Sequence, residues 1–250
     1  EIHRFAFLKN LLNCLKSLYS FRIVLRTFYH FYEIVKNFYM NKQRICIVGD
    51  GLAGLMTSVV LGKIPNIEVT LIAKKVSKIK DNRTTAISDT NLKFLKENIT
   101  GLNSKLFWPS KRIELFYETA KDQINFLNLN EKNYNLMYVF ENDKFKKVLL
   151  RQILKKPIKI IRKKLNDFKQ LEKFNLTILC LGGNSKVYNS IVKERAIKKD
   201  YNEVAVTGYV KHNLKNLNTS QFFLNEGPLA VLPFSKNQFS FVWSLKKEFY

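Results

Sequence analysis

A Gly-x-Gly-x-x-Gly pattern at residues 49–54 constrains this chain more than any other feature. An apolar run at 44–49 leads into the pattern, and a helix-compatible segment follows it. The order of these features predicts a βαβ unit with a first strand at 44–49, a helix at about 52–63 and a second strand at 68–73. Such a unit is typical of dinucleotide-binding proteins.

Each glycine of the pattern has a separate physical role. Gly49 permits a tight turn after the strand, Gly51 leaves room for a phosphate beside the backbone, and Gly54 permits close helix–strand packing. At the start of the helix, around Leu52 and Ala53, free N–H groups and the positive end of the helix dipole would stabilise a diphosphate. The alternative is an ordinary glycine-rich turn between a strand and a helix.

The chain is strongly basic, with a formal net charge of +23 over 250 residues. A basic balance indicates contact with nucleic acid or with an anionic membrane. Lysines are nevertheless scattered through every segment, as expected of a gene poor in G and C, so no nucleic-acid partner is expected. Three separate cysteines and three dispersed histidines predict neither a disulfide framework nor a metal site, and a cytoplasmic location fits them.

Residues 1–39 differ from the rest of the chain because they are rich in aromatic residues and contain neither glycine nor proline. Basic residues interrupt the apolar runs before any reaches the length of about 18 residues that a transmembrane helix needs. We expect a native start at Met40, with 1–39 as a basic helical extension that is not native protein. The alternative is an amphipathic helix on a membrane surface.

The end of the second predicted strand lacks an expected acid. A dinucleotide-binding unit carries an Asp or Glu there for the ribose hydroxyls, but this chain has Ala73 and Lys74. Downstream, apolar spacing predicts a helix that starts near Thr84 or Thr85 with a hydroxyl cap. Arg83 would precede that helix and could pair with a phosphate, or alternatively with a neighbouring acid, Asp81.

The glycine pattern together with the segment Asp81–Ser88 resembles the FAD-dependent aromatic hydroxylases of ubiquinone biosynthesis, the 2-polyprenyl-6-methoxyphenol hydroxylase family. The resemblance implies that residues 49–54 bind the FAD pyrophosphate and that Arg83 also contacts FAD. A strand at 113–117 and a segment at 135–142 followed by a helix at 144–154 continue it.

A second motif of the family is matched in part. Residues 176–187 resemble a strand followed by Asp-Gly-x-x-Ser, in which Gly182 and Ser185 match and the Asp is replaced by Leu181. A usual Arg after the motif is Tyr188 here. The resemblance therefore implies Gly182 and Ser185 as further cofactor contacts and weakens the case for direct NAD(P)H handling, with NAD(P)H left as an external electron donor.

The resemblance covers residues 40–250 and is most specific in the Gly-Pro-Leu-Ala-Val-Leu-Pro run at 227–233. Segments of alternating character at 205–210, 227–234 and 239–244 predict antiparallel strands. The resemblance implies an α/β fold, with a Rossmann-like FAD-binding domain and an interleaved antiparallel-sheet substrate domain like that of p-hydroxybenzoate hydroxylase. We assign 40–105 and 130–200 to the former, and 106–129 and 201–250 to the latter. A third family motif is missing before residue 250, so we expect a C-terminally truncated chain.

The activity implied by the resemblance is hydroxylation of the aromatic ring of a polyprenylated phenol through a flavin C4a-hydroperoxide, with FAD as the cofactor. No catalytic side chain or metal ligand is assigned, because the cofactor carries this chemistry. Peripheral contact with the inner membrane and with other ubiquinone-biosynthesis proteins is implied. The alternatives are a degenerate, non-catalytic member of the family and, less favoured, a basic nucleic-acid-binding module.

Overall fold

The computed structural model describes residues 42–74, 81–163, 165, 168–182 and 199–250. Within these ranges the strands fall into three sheets, and three α-helices accompany them. The expectations for residues 1–39 and for the start at Met40 lie outside the described residues. No helix in the described part of the chain is long and apolar enough to cross a membrane.

The predicted βαβ unit is confirmed. Strand β1 (Gln43–Val48), helix α1 (Leu52–Leu61) and strand β2 (Ile67–Ala73) follow one another, and β1 pairs with β2 in parallel. Strands β8 (Lys159–Arg162) and β9 (Leu176–Leu179) complete a parallel sheet of order β8-β2-β1-β9. Strand β1 is buried from Ile45 onwards because side chains cover both faces of this sheet.

The main core lies on one face of the parallel sheet. Helix α1 packs there against helix α3 (Asn142–Leu154), and helix α2 (Asp89–Asn98) adds to the same cluster. The fully buried members include Ile47, Leu55, Val59, Leu71, Leu92, Leu149 and Ile153. Burying side chains of this size stabilises the fold by about 1.5–3 kcal/mol each, so the helix that begins at the glycine turn is firmly positioned.

A small antiparallel sheet corrects one sequence prediction. Residues 84–87 form strand β3 (Thr84–Ile87), which pairs with strand β7 (Met137–Glu141), and β7 also pairs with strand β4 (Trp108–Ser110). The helix expected near Thr84 or Thr85 was therefore wrong. It begins at Asp89, where the Ser88 hydroxyl accepts a hydrogen bond from the Asn91 N–H and caps the helix.

The third sheet has six strands in the order β10-β13-β12-β11-β5-β6. Their bounds are β5 Arg112–Glu118, β6 Gln123–Asn130, β10 Glu203–Lys211, β11 Thr219–Leu224, β12 Gly227–Ser235 and β13 Gln238–Lys246. Pairing is antiparallel except between β11 and β5, and the predicted strands at 113–117, 227–234 and 239–244 are confirmed. Short 3-10 turns lie at Ser104–Leu106, Phe168–Leu171 and Lys247–Phe249. The division into two domains stays a prediction.

Candidate functional site

Gly49 lies at the end of β1 in a conformation that other residues rarely adopt. Its φ is +117°, and a Cβ at this position would lie 2.1 Å from the carbonyl oxygen of Cys180. The Gly49 N–H donates to the Ile72 carbonyl at 2.9 Å, and the Cys180 N–H donates to the Val48 carbonyl at 2.8 Å. The turn is therefore wedged between β2 and the end of β9, where only glycine fits.

The other two glycines of the pattern have opposite surroundings. A Cβ at Gly54 would lie 1.9 Å from the Gly49 carbonyl oxygen, so this glycine allows α1 to approach the turn. Apart from its chain neighbours, no described residue has an atom within 4 Å of a Cβ placed at Gly51, and Gly51 is exposed. This contrast fits a diphosphate that occupies the open space beside Gly51.

Helix α1 begins beside this open space without a cap of its own. Gly51 is its N-cap residue and supplies no side-chain hydrogen bond, and no acid lies in the first turn at Leu52, Ala53 or Gly54. The first N–H groups of a helix have no partner within the helix and carry a partial positive charge. The turn can thus accept an anion.

The position expected to hold a ribose carries no carboxylate. Ala73 is 2% exposed, and its carbonyl oxygen accepts a hydrogen bond from the Lys163 N–H at 3.0 Å. Lys74 is exposed beside it, and Arg162 of β8 pairs with Ala73 in the sheet register. This edge of the sheet is basic, so an adenosine ribose would need hydrogen bonds from other groups.

Arg83 lies immediately before β3 rather than before a helix. Its side chain is 69% exposed and makes two hydrogen bonds of 2.8 Å to the carboxylate oxygens of Asp81. These bonds hold the pKa of the Asp81 carboxyl below its usual value and raise the pKa of Arg83. The ion pair considered as the alternative for Arg83 is present, and its contact with a cofactor phosphate stays a prediction.

One face of α3 lies against both predicted cofactor segments. Asn142, at the start of α3, accepts a hydrogen bond from the Thr85 hydroxyl at 2.6 Å and donates to Asp81 at 3.4 Å. One helical turn later, Lys146 places its Nζ 3.6 Å from Oδ2 of Asp50 in the glycine turn. Residues four apart share a helix face, so α3 joins the Asp81–Arg83 pair to the glycine turn.

Tyr209 of β10 connects this region to the six-stranded sheet. Its hydroxyl donates to the Arg83 carbonyl oxygen at 3.2 Å, and its ring lies 4.8 Å from that of Phe234. Partial burial of a residue that is still 36% exposed, and then the nearby carboxylates of Glu141, Asp81 and Asp143, raise the pKa of Tyr209 to about 12. The phenol is therefore neutral at physiological pH and acts as a hydrogen-bond donor.

The second predicted motif is described only at its start. Gly182 has a φ of +73°, and apart from its chain neighbours no described residue has an atom within 4 Å of a Cβ placed there. Leu181, which replaces the family's Asp, packs against the small apolar cluster of Cys46, Val48 and Ile72. Ser185 and Tyr188 lie outside the described residues, so the role of Ser185 stays a prediction.

Sequence reasoning missed Asn142, Lys146 and Tyr209 as members of this region. The helix predicted at 144–154 excludes Asn142; only because the helix begins two residues earlier do Asn142 and Lys146 share a face. Among the described residues no group of three or more His, Cys, Asp or Glu side chains could hold a metal ion.

Sequence-level comparisons identify no relative, since no family model and no curated protein matches the chain. Solved structures do resemble it in fold. A variant of P. aeruginosa PqsL has a TM-score of 0.65 at 11% identity, covering 83% of this chain and 62% of its own. A tryptophan halogenase from Shewanella frigidimarina has a TM-score of 0.62 at 13% identity, covering 84% and 57%.

CmlS, a flavin-dependent halogenase, has a TM-score of 0.63 at 14% identity and covers 84% of this chain and 42% of its own. The chain thus spans about three fifths or less of the length of these three proteins. Identities this low carry information on fold alone. The protein has the mixed α/β fold, with a parallel sheet and further sheets, that these solved structures share.

Proposed function

We propose that the protein binds FAD and belongs to a flavin-dependent oxidising enzyme. One observation carries this proposal: the open space beside Gly51, at the uncapped start of α1, within a fold that flavin-dependent enzymes share. The space suits a diphosphate, and a diphosphate joins the two halves of FAD. Gly49 and Gly54 allow the backbone conformation and the close helix approach that form this turn.

Several groups around the turn would contact different parts of FAD. N–H groups at the start of α1 would bind the diphosphate, and Arg83 supplies positive charge from the loop before β3. Gly182, at the neighbouring strand end, is the proposed second contact of the cofactor. When bound, FAD supplies the oxidising chemistry, while the protein orients the substrate and excludes water.

We further propose that the reaction is a monooxygenation of an aromatic ring, with a polyprenylated phenol of ubiquinone biosynthesis as substrate. The motif resemblance of residues 40–250 supports this, and one face of the six-stranded sheet is consistent with an apolar substrate. Tyr117 and Phe223 are paired in register there, and the ring of Phe126 lies within 6.0 Å of both. All three side chains are exposed.

The same sheet face continues towards Arg83. Two residues that pair across neighbouring strands lie on the same face of a sheet, and so do residues two apart along one strand. From Phe223 this rule leads through Gln221, Ala230 and Leu232 to Ser240. The Ser240 hydroxyl lies 2.5 Å from that of Thr84, next to Arg83. A substrate on the exposed part of this face would be separated from Arg83 by the buried Ser240–Thr84 contact, and NAD(P)H would be the external electron donor.

FAD binding is tested by expressing the full chain and measuring flavin released on heating. A yellow protein that releases FAD supports the proposal, and a colourless protein that neither retains nor rebinds FAD contradicts it. Product analysis in a hydroxylase-deficient strain then separates the chemistries. A hydroxylated quinone precursor supports monooxygenation, whereas a halogenated product would favour the activity named for two of the three similar structures.

A non-catalytic protein of the same fold is the second candidate. The absence of a carboxylate at Ala73 and at Leu181 favours it, because both positions would otherwise help to hold nucleotides. Such a protein would bind FAD weakly and would not restore hydroxylated intermediates in the deficient strain. Restoration by the intact gene excludes this candidate.

A further inference from the structure

We propose that Lys146 is a ligand of the cofactor diphosphate and that Asp50 is its competitor within the protein. Binding at the glycine turn is then an exchange, in which Lys146 leaves the carboxylate of Asp50 for the incoming diphosphate. This inference rests on the proposed binding of FAD. It adds a cation from α3 and a negative charge in the turn, neither of which the glycine pattern itself requires.

Asp50 occupies an unfavourable place for an anion-binding site. It stands between Gly49 and Gly51, and its side chain is 25% exposed. A carboxylate at this place repels a diphosphate that approaches Gly51, and the repulsion is strong because a partly buried pair of charges is poorly screened. Binding therefore requires a nearby positive charge that offsets Asp50 or that transfers to the ligand.

Lys146 is the cation that the fold brings to this place. Its helix, α3, is anchored by the buried side chains of Phe145 and Leu149, and α3 packs against α1. The Lys146 Nζ lies 3.6 Å from Asp50 Oδ2, which is longer than a hydrogen bond, and its side chain remains 36% exposed. A lysine with a flexible stem and a loose ion pair can change partners with little rearrangement.

The second ion pair of the region, between Arg83 and Asp81, is tighter than the pair between Lys146 and Asp50. Arg83 makes two hydrogen bonds of 2.8 Å to Asp81, and Asn142 holds the same carboxylate from α3. A bidentate pair of this kind is stronger and more directional than a single lysine contact. Of the two cations, Lys146 is thus the one that is released more easily to a new anion.

The test is a titration of the full-length protein with FAD and, separately, with ADP, which carries a diphosphate without a flavin. Two single variants are compared with the wild type, Asp50→Asn and Lys146→Met. Since partly exposed ion pairs are worth about 0.2–1 kcal/mol, we expect Asp50→Asn to bind both ligands up to about fivefold more tightly. We expect Lys146→Met to bind both about fivefold or more weakly.

Asp200→Asn is the matched control. Like Asp50→Asn, it removes one negative charge, and it breaks an exposed ion pair, between Asp200 and Lys247, outside the glycine turn. Its affinity for FAD and ADP should stay within twofold of the wild type. Thermal unfolding of each variant shows that it is folded before its affinity is interpreted.

The double variant Asp50→Asn/Lys146→Met separates two roles of Lys146. If Lys146 binds the diphosphate, the double variant stays weaker than Asp50→Asn by about fivefold. Equal affinity of these two variants would mean that Lys146 only neutralises Asp50, which overturns the inference. Wild-type FAD binding that neither single variant changes also overturns it while the proposed function stands, whereas no binding by any of the proteins overturns both.

Discussion

Gly51→Ala separates the stability of the glycine turn from its capacity to bind a diphosphate. A Cβ at this position meets no atom of the described part of the chain within 4 Å, chain neighbours aside, and the φ of −71° is one that alanine adopts readily. Loss of backbone freedom in the unfolded chain stabilises the variant by about 0.4–1 kcal/mol. Alanine is a poorer N-cap than glycine by a similar amount, so the two effects nearly cancel.

We therefore expect the melting temperature of Gly51→Ala to change by less than about 4 °C, since 1 kcal/mol corresponds to about 2–4 °C for a chain of this size. The added methyl group occupies the space proposed for the diphosphate. We expect FAD affinity to fall at least about tenfold, because 1.4 kcal/mol of lost interaction with the phosphates is sufficient for that change. Flavin fluorescence titration and thermal unfolding measure the two quantities on the same sample.

Gly54→Ala is the companion variant with the opposite expectation. Its Cβ would lie 1.9 Å from the Gly49 carbonyl oxygen, about 1.5 Å short of the ordinary contact distance. Because the obstructing atom belongs to the backbone, α1 must move away from β1, and overpacking of this kind destabilises by about 1–3 kcal/mol or more.

A folded Gly51→Ala protein that binds FAD with unchanged affinity would refute the placement of the diphosphate beside Gly51.

Three further predictions follow from the pKa directions. Asp81→Asn should destabilise the protein by about 1 kcal/mol or less, because the pair with Arg83 is largely exposed. The lowered pKa of Asp81 means that its contribution to stability is present above about pH 4 and is lost as the pH falls further. The free energies of unfolding of wild type and variant, measured by chemical denaturation, should therefore converge in acid, and a constant difference would contradict this. Tyr209→Phe should destabilise the protein by about 0.5–1.5 kcal/mol, because it removes the hydrogen bond to the Arg83 carbonyl oxygen. The raised pKa of Tyr209 predicts that this difference in stability is present at neutral pH and declines between about pH 10 and 12. The absorbance of the phenol should change above pH 10, and an ordinary titration near pH 10 would contradict this. Burial raises the pKa of Cys46 to about 11, so in a variant that lacks the other two cysteines Cys46 should react with a thiol reagent at pH 8 only after unfolding, and rapid reaction of the native protein would contradict its burial.

The βαβ unit could be predicted because its determinants are local. Apolar runs with a period suited to buried strands, and glycines at fixed spacing, specify the strand–turn–helix order without knowledge of distant residues. The same applies to the strands at 227–234 and 239–244, whose short loops make antiparallel neighbours of them. These elements could therefore be predicted from residues that are close to one another in the sequence.

The segment at 84–87 shows where local reasoning fails. Its residues tolerate either a helix or a strand, and the outcome depends on pairing with β7, more than 50 residues away. Ser88, rather than Thr84 or Thr85, then becomes the cap of the following helix. The role of Lys146 was hidden for the same reason, because the contact with Asp50 exists only once α3 is packed on α1.

The most direct test of the central claim is an equilibrium titration of the full chain with FAD, followed by competition with ADP. We predict saturable quenching of flavin fluorescence with one FAD per chain, reversal of the quenching by excess ADP, and loss of both effects in Gly51→Ala. Absence of saturable binding to a folded wild-type protein, or binding that ADP does not displace, would contradict a diphosphate site at the glycine turn.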